Sequence, residues 1–81
     1  MRFNHYDWVS SNTNLSKLSP GIYCCQYLKP EQFDGLDIYS WGTMIVIKVG
    51  TSLTQLYLPH LNEIQYIRNG WEGVFRPWRQ L

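Results

Sequence analysis

Nine residues, WGTMIVIKV at 41–49, narrow the fold more than any other stretch of this chain. Thr43, Ile45, Ile47 and Val49 alternate with Met44, Val46 and Lys48. A run this short and this rich in β-branched residues reads as a strand, because branched side chains sit well on a pleated surface. Both of its faces are apolar until Lys48, which predicts a central strand covered on both sides. Gly50-Thr51-Ser52 makes a short connection, and residues 53–58 resume as a strand with Leu56 and Leu58 opposite Gln55 and Tyr57. Pro59 ends that strand, and His60 to Asn62 lead into residues 63–68, where Ile64, Tyr66 and Arg68 alternate with Gln65 and Ile67. Asn69-Gly70 then reads as a hairpin turn. Upstream, GIYCCQYL from Gly21 is a further strand, with Ile22, Cys24 and Gln26 on one face and Tyr23, Cys25 and Tyr27 on the other. Strands joined by short connections predict a mainly β fold, a compact antiparallel meander or sandwich-like knob with at most one short helix.

The non-strand pieces carry their own signals. Asn14 suits the cap of a single helical turn through Leu15 and Leu18, and Ser19-Pro20-Gly21 marks a turn. Pro30-Glu31-Gln32 suits the first turn of a very short helix that Gly35 ends, with Phe33, Leu36 and Ile38 anchoring the loop of residues 29–40. Residues 1–11 mix aromatic and polar side chains without periodicity. They read as an irregular lead-in whose Phe3, Tyr6 and Trp8 pack at an interface, leaving residues 12–81 as the domain.

A chain of 81 residues hides only about 60–65% of its unfolded surface on folding, so such domains are marginal without a staple or shared core. Cys24 and Cys25 are adjacent and point to opposite faces of a strand, so they neither bridge easily nor form a paired zinc motif. Both read as small buried residues, and free thiols fit folding in a reducing compartment. The aromatic share is 16%, with four Trp and six Tyr, which supplies core area to a short chain and also contact surface for sugars and proteins.

Charge and hydropathy exclude several classes. A net charge of +1 provides no field of the kind nucleic-acid binding draws on. No apolar run approaches the ~20 residues of a membrane span, and the polar start, with Arg2, Asn4, His5 and Asp7, has no secretory apolar core. Catalysis finds little support. Asp34 and Asp37 share one loop, Glu63 and Glu72 fall at strand ends, and nothing places any of them in an apolar pocket. His5 and His60 have no ligand spacing, and no orienting motif accompanies a pairing of His with Cys24 or Cys25. The chain reads as a non-enzyme without metal or cofactor, neither binding nucleic acid nor entering a membrane.

Recognition chemistry concentrates at the C-terminal end. Arg68, Trp71, Arg76 and Arg79 are the candidate ligand-binding residues, since arginines beside aromatic planes hold sugars or phosphorylated polymers. The plainer alternative is that Arg68 pairs with Glu63 or Glu72, that Tyr66 and Trp78 are core, and that Arg76 and Arg79 face solvent or a subunit. Gln55, if buried, needs a partner and fixes strand geometry rather than touching ligand.

The order of these pieces resembles a known family. Asn14-Leu15, Pro20-Gly21-Ile22-Tyr23, the Met44–Val49 strand, Gln55-Leu56-Tyr57, Tyr66-Ile67-Arg68, Trp71 and Trp78-Arg79-Gln80-Leu81 follow the pattern of the knob-like domain named from pyocin tail fibres and found in phage tail fibres and tailspikes. The resemblance covers roughly residues 12–81, strongest in the last thirty, and departs from the pattern at Cys24-Cys25 and at Pro77. It implies a β-rich module of a virion tail, assembled in the host cytoplasm and carried as a homotrimer or on a trimeric fibre shaft. There it serves either to attach to host-surface glycan or protein or as a structural joint without a host ligand. A small phage-encoded enzyme or inhibitor is a third class, requiring a pocket of converging polar groups.

Overall fold

The computed structural model describes residues 6–61, 64–71 and 74–81. The fold is mainly β, one mixed sheet of seven strands with two single turns of 3-10 helix. The strands are β1 (Asp7–Val9), β2 (Gly21–Cys25), β3 (Gly42–Val49), β4 (Ser52–Pro59), β5 (Tyr66–Trp71), β6 (Val74–Phe75) and β7 (Arg79–Gln80). They run in space as β1-β2-β3-β4-β5-β6, and β7 also pairs with β5. From β2 onward every pairing is antiparallel, as a meander requires.

Three expectations are corrected. Asp7–Val9, read as irregular, forms an edge strand parallel to β2, so the sheet is mixed. Three residues are too few for an alternation to show, and their pairing comes from the neighbour. Asn69-Gly70 is no turn: Asn69 pairs with Thr54, and Gly70 with both Leu53 and Phe75. Gly70 is there for space, since a Cβ would lie 2.2 Å from Val74 O and 2.8 Å from Phe75 Cα. Finally, β3 is central in the sheet but covered on one face only. Met44 and Val46 are buried while Ile45 is half-buried and Ile47 exposed.

The covered face holds the core. In register across the sheet lie Tyr23, Met44, Tyr57 and Tyr66, and one row along lie Val46, Gln55 and Arg68. Three tyrosine hydroxyls from the first row reach past the core to loop carbonyls, Tyr23 to Ser19 O, Tyr57 to Tyr39 O at 2.6 Å and Tyr66 to Asp37 O at 3.2 Å. Each ring therefore contributes apolar area while its polar tip fastens the layer beneath.

That layer is made of loops and the two 3-10 turns. Asn14 caps the turn at Leu15–Lys17 by accepting from Ser16 N, and Leu15 is buried. Pro30–Phe33 forms the other turn, ended by Asp34 and Gly35 at positive φ of 56° and 84°. Gln32 ties this second turn to the loop that precedes the first, its Nε2 donating to Ser10 O and Thr13 O while its Oε1 accepts from Lys29 N. Phe33 is fully enclosed, 4.8 Å from the Tyr57 ring and 4.7 Å from the Trp78 ring, and Leu36 and Ile38 pack against this cluster as expected.

Candidate functional site

The four recognition residues divide between three environments. Arg68 lies inside, 7% exposed, on the covered face of β5. Its Nε donates to Gln55 Oε1 at 2.7 Å and its Nη2 to Ser16 Oγ at 3.3 Å. The guanidinium carbon sits 4.1 Å from the Phe75 ring centre and 4.8 Å from that of Trp78. Burial pushes the guanidinium down to about 10, partly offset by the nearby Asp34 carboxylate, which leaves it charged at neutral pH. A buried cation held by an amide, a hydroxyl and two ring faces fixes the interior, and one side of it borders a polar cleft of about 290 Å³ with Ser16, Gln32 and Asp34. Glu63 and Glu72, the partners weighed for Arg68 in the sequence, lie outside the described residues.

Gln55 is the residue that makes this possible. It is fully buried, gives Nε2 to Leu15 O at 2.6 Å and receives Arg68 at its oxygen, so it fixes geometry as its sequence setting indicated.

Arg76 and Arg79 share a surface cleft. After β6 the chain leaves the edge of β5 and returns at β7, and Arg76 N donates to Asn69 O at 2.9 Å on the way. Pro77 brings no donor to this stretch. The gap so formed, about 570 Å³, is lined by Asn69, Arg76, Pro77, Trp78 and Arg79. Trp78 is buried with its indole 4.7 Å from the Phe33 ring, its backbone N–H donates to Asp34 Oδ2 at 2.8 Å, and Arg79 Nη2 donates to Asn69 Oδ1 at 3.2 Å. Asn69 in turn donates to Thr54 Oγ1 at 2.9 Å. Both arginines are exposed, so the cleft offers guanidinium donors, and no carboxylate, thiol or imidazole is among the described residues lining it. Asn69 was not singled out in the sequence. Its role beside a β-turn signal was hidden by that very signal.

Trp71 is separate from both. It is 51% exposed at the far end of β5, on the uncovered face of the sheet. Trp8 of β1 and Tyr6 just before it, 61% and 45% exposed, meet edge to face at 5.7 Å, and Phe3 lies outside the described residues.

Cys24 and Cys25 are free thiols, the first half-buried and the second enclosed. Burial, helped by the adjacent Cys24, pushes the Cys25 thiol up to about 12, so it is inert rather than nucleophilic. Among the described residues no three His, Cys, Asp or Glu side chains gather as metal ligands, and no helix is long and apolar enough to cross a membrane.

Compared with protein-family models, curated proteins and solved structures, the chain matches none.

Proposed function

We propose that this chain is a non-enzymatic attachment module of a phage or phage-like tail fibre, part of the virion tail, which holds a host-surface glycan or protein through the Arg76–Arg79 cleft. The observation carrying this reading is the coincidence of two predicted recognition arginines, Arg76 and Arg79, in one open cleft of about 570 Å³ that Asn69, Pro77 and Trp78 complete. Guanidinium forks match carboxylate or phosphate groups of surface polymers, and the amide of Asn69 adds hydroxyl recognition. The resemblance of its residue order to tail-fibre knobs supports the biological setting, including carriage as a homotrimer or on a trimeric shaft.

Adsorption to host cells and binding to an array of surface glycans test it. The double variant Arg76→Ala, Arg79→Ala is expected to lose at least about tenfold in affinity, as contact residues of this type do, with an unchanged far-ultraviolet spectrum. Binding should also weaken as salt rises. Adsorption that survives both changes would remove the cleft from recognition.

A structural joint is the second reading, favoured by the exposed Tyr6–Trp8 pair on the edge strand. It is distinguished by stable association with another virion protein, lost in Trp8→Ala, and by no glycan signal.

A further inference from the structure

The polar cleft beside Arg68 is a feature the attachment reading leaves unused. Arg68 lines it, and its guanidinium is a fixed fork of N–H donors. Nε donates to Gln55 Oε1 and Nη2 to Ser16 Oγ, while Nη1 has no hydrogen-bond partner among the described residues. Among those residues only Trp78 Nε1 is both buried and without a partner. Nη1 is therefore not sealed inside; it opens on the cleft. A residue only 7% exposed thus keeps donor capacity free where it meets solvent.

Asp34 lines the same cleft, with its Oδ2 held by the Trp78 N–H. Its carboxylate lies beyond ion-pair distance of Arg68, yet near enough to favour the charged guanidinium. A hydroxyl oxygen about 2.8 Å from each group spans such a gap, accepting from the guanidinium and donating to the carboxylate. Asn14 gives its amide oxygen to Ser16 N and leaves its amide nitrogen as a further donor among the described residues. Gln32, by contrast, has both ends of its amide engaged in holding the loops.

We propose that this cleft is a subsite for one uncharged sugar unit, whose hydroxyls bridge Arg68 and Asp34. Charge selects against the alternatives. Asp34 and Glu31 both line the cleft and repel a carboxylate or phosphate, while Arg68 repels an ammonium. A hydroxyl is donor and acceptor at once, so it suits a guanidinium and a carboxylate that do not reach each other. The volume, about 290 Å³, lies at the small end of ligand sites and suits a single ring. The inference deepens the attachment reading and rests on it only for the source of the sugar, a host-surface glycan. The Arg76–Arg79 cleft then takes acidic groups of such a polymer, and this one an uncharged unit.

Nitrogen-15 NMR titrations of the whole chain test it, with glucose, galactose, mannose and N-acetylglucosamine as neutral probes and glucuronic acid and lysine amide as charged ones. At least one neutral sugar is expected to shift the Arg68 Nε–H and Ser16 amide signals at millimolar concentration, with little dependence on salt. Asp34→Asn should weaken that binding at least about tenfold, the size of a hydrogen bond to a charged group. Asparagine keeps an oxygen for the Trp78 N–H and tolerates the left-handed backbone at this position. Should that variant not fold, Glu31→Trp, at an exposed position of the second 3-10 turn, closes the cleft and is expected to abolish the shifts. No response to any neutral sugar, a charged probe bound in preference, or binding indifferent to these variants overturns the proposal. The Arg76→Ala, Arg79→Ala variant should keep the neutral-sugar shifts, so the two clefts fail or stand separately.

Discussion

At the scale of residues, the most consequential contact is the one between Gln55 and Arg68. A lone guanidinium in an interior is costly, and among the described residues no carboxylate lies within ion-pair distance of this one. Gln55 offsets part of that cost by turning its oxygen to Arg68 and its nitrogen to Leu15 O, linking β4, β5 and the first 3-10 turn through one amide. Leucine at this position has nearly the same bulk and neither bond. Gln55→Leu leaves a buried cation short of its best acceptor and orphans a buried carbonyl, an expected loss of about 3 kcal/mol. Urea denaturation measures it, and a loss under about 1 kcal/mol would mean that the hydroxyl and the two rings satisfy Arg68 by themselves.

At the scale of elements, pattern reading worked where a strand is long enough to repeat. Residues 41–49 and 53–58 were legible because alternation over six or more positions leaves little choice, and the structure places β3 and β4 within a residue or so of those bounds. The caps were legible too, since Asn14 and Pro30 act through their own chemistry. Asn69-Gly70 misled because the same dipeptide serves two purposes, a left-handed turn or a close approach of chains. Only the neighbour across the gap, β6, decides between them. Arg68 misled for a related reason: its burial depends on Gln55, Ser16, Phe75 and Trp78, which are spread over four segments. Arg76 and Arg79 are exposed, as either reading of them, ligand-facing or solvent-facing, expects. If Gly70 serves close approach, a methyl there must displace backbone rather than a flexible side chain. Gly70→Ala is then expected to cost about 1–3 kcal/mol and to loosen the β5–β6 pairing and the cleft beside it. Thermal unfolding and amide exchange at Phe75 check this; a neutral outcome would return the glycine to a merely permissive role.

At the scale of the whole molecule, the covered face gathers groups that must stay protonated to remain buried. Cys25 is enclosed beneath β2, and burial carries its thiol from an ordinary 9.0 up to about 12. Tyr57 and Tyr23, in the neighbouring row, are raised above the usual phenol value of 10.0, chiefly by burial. In each case the folded chain keeps its proton at a pH where the unfolded chain releases it. The native state then binds more protons than the unfolded one, and stability must fall with rising pH. For Cys25 the contribution is whole below pH 9.0 and lost progressively towards pH 12; the tyrosines add their share only above pH 10.0. Each fully differing group contributes at most about 1.4 kcal/mol per pH unit. Between pH 9 and 10 the thiol therefore acts ahead of the phenols, and Cys25→Val isolates it. Urea midpoints of the parent chain should begin to decline through that interval while those of Cys25→Val decline less steeply, the two curves running parallel below it. Tyrosinate absorbance should appear together with unfolding, not before it, for the buried rings. Curves that stay parallel up to pH 11 would mean that water reaches Cys25 from beneath the sheet. The loops and 3-10 turns would then be a looser second layer than the tyrosine hydroxyls and Gln32 make them.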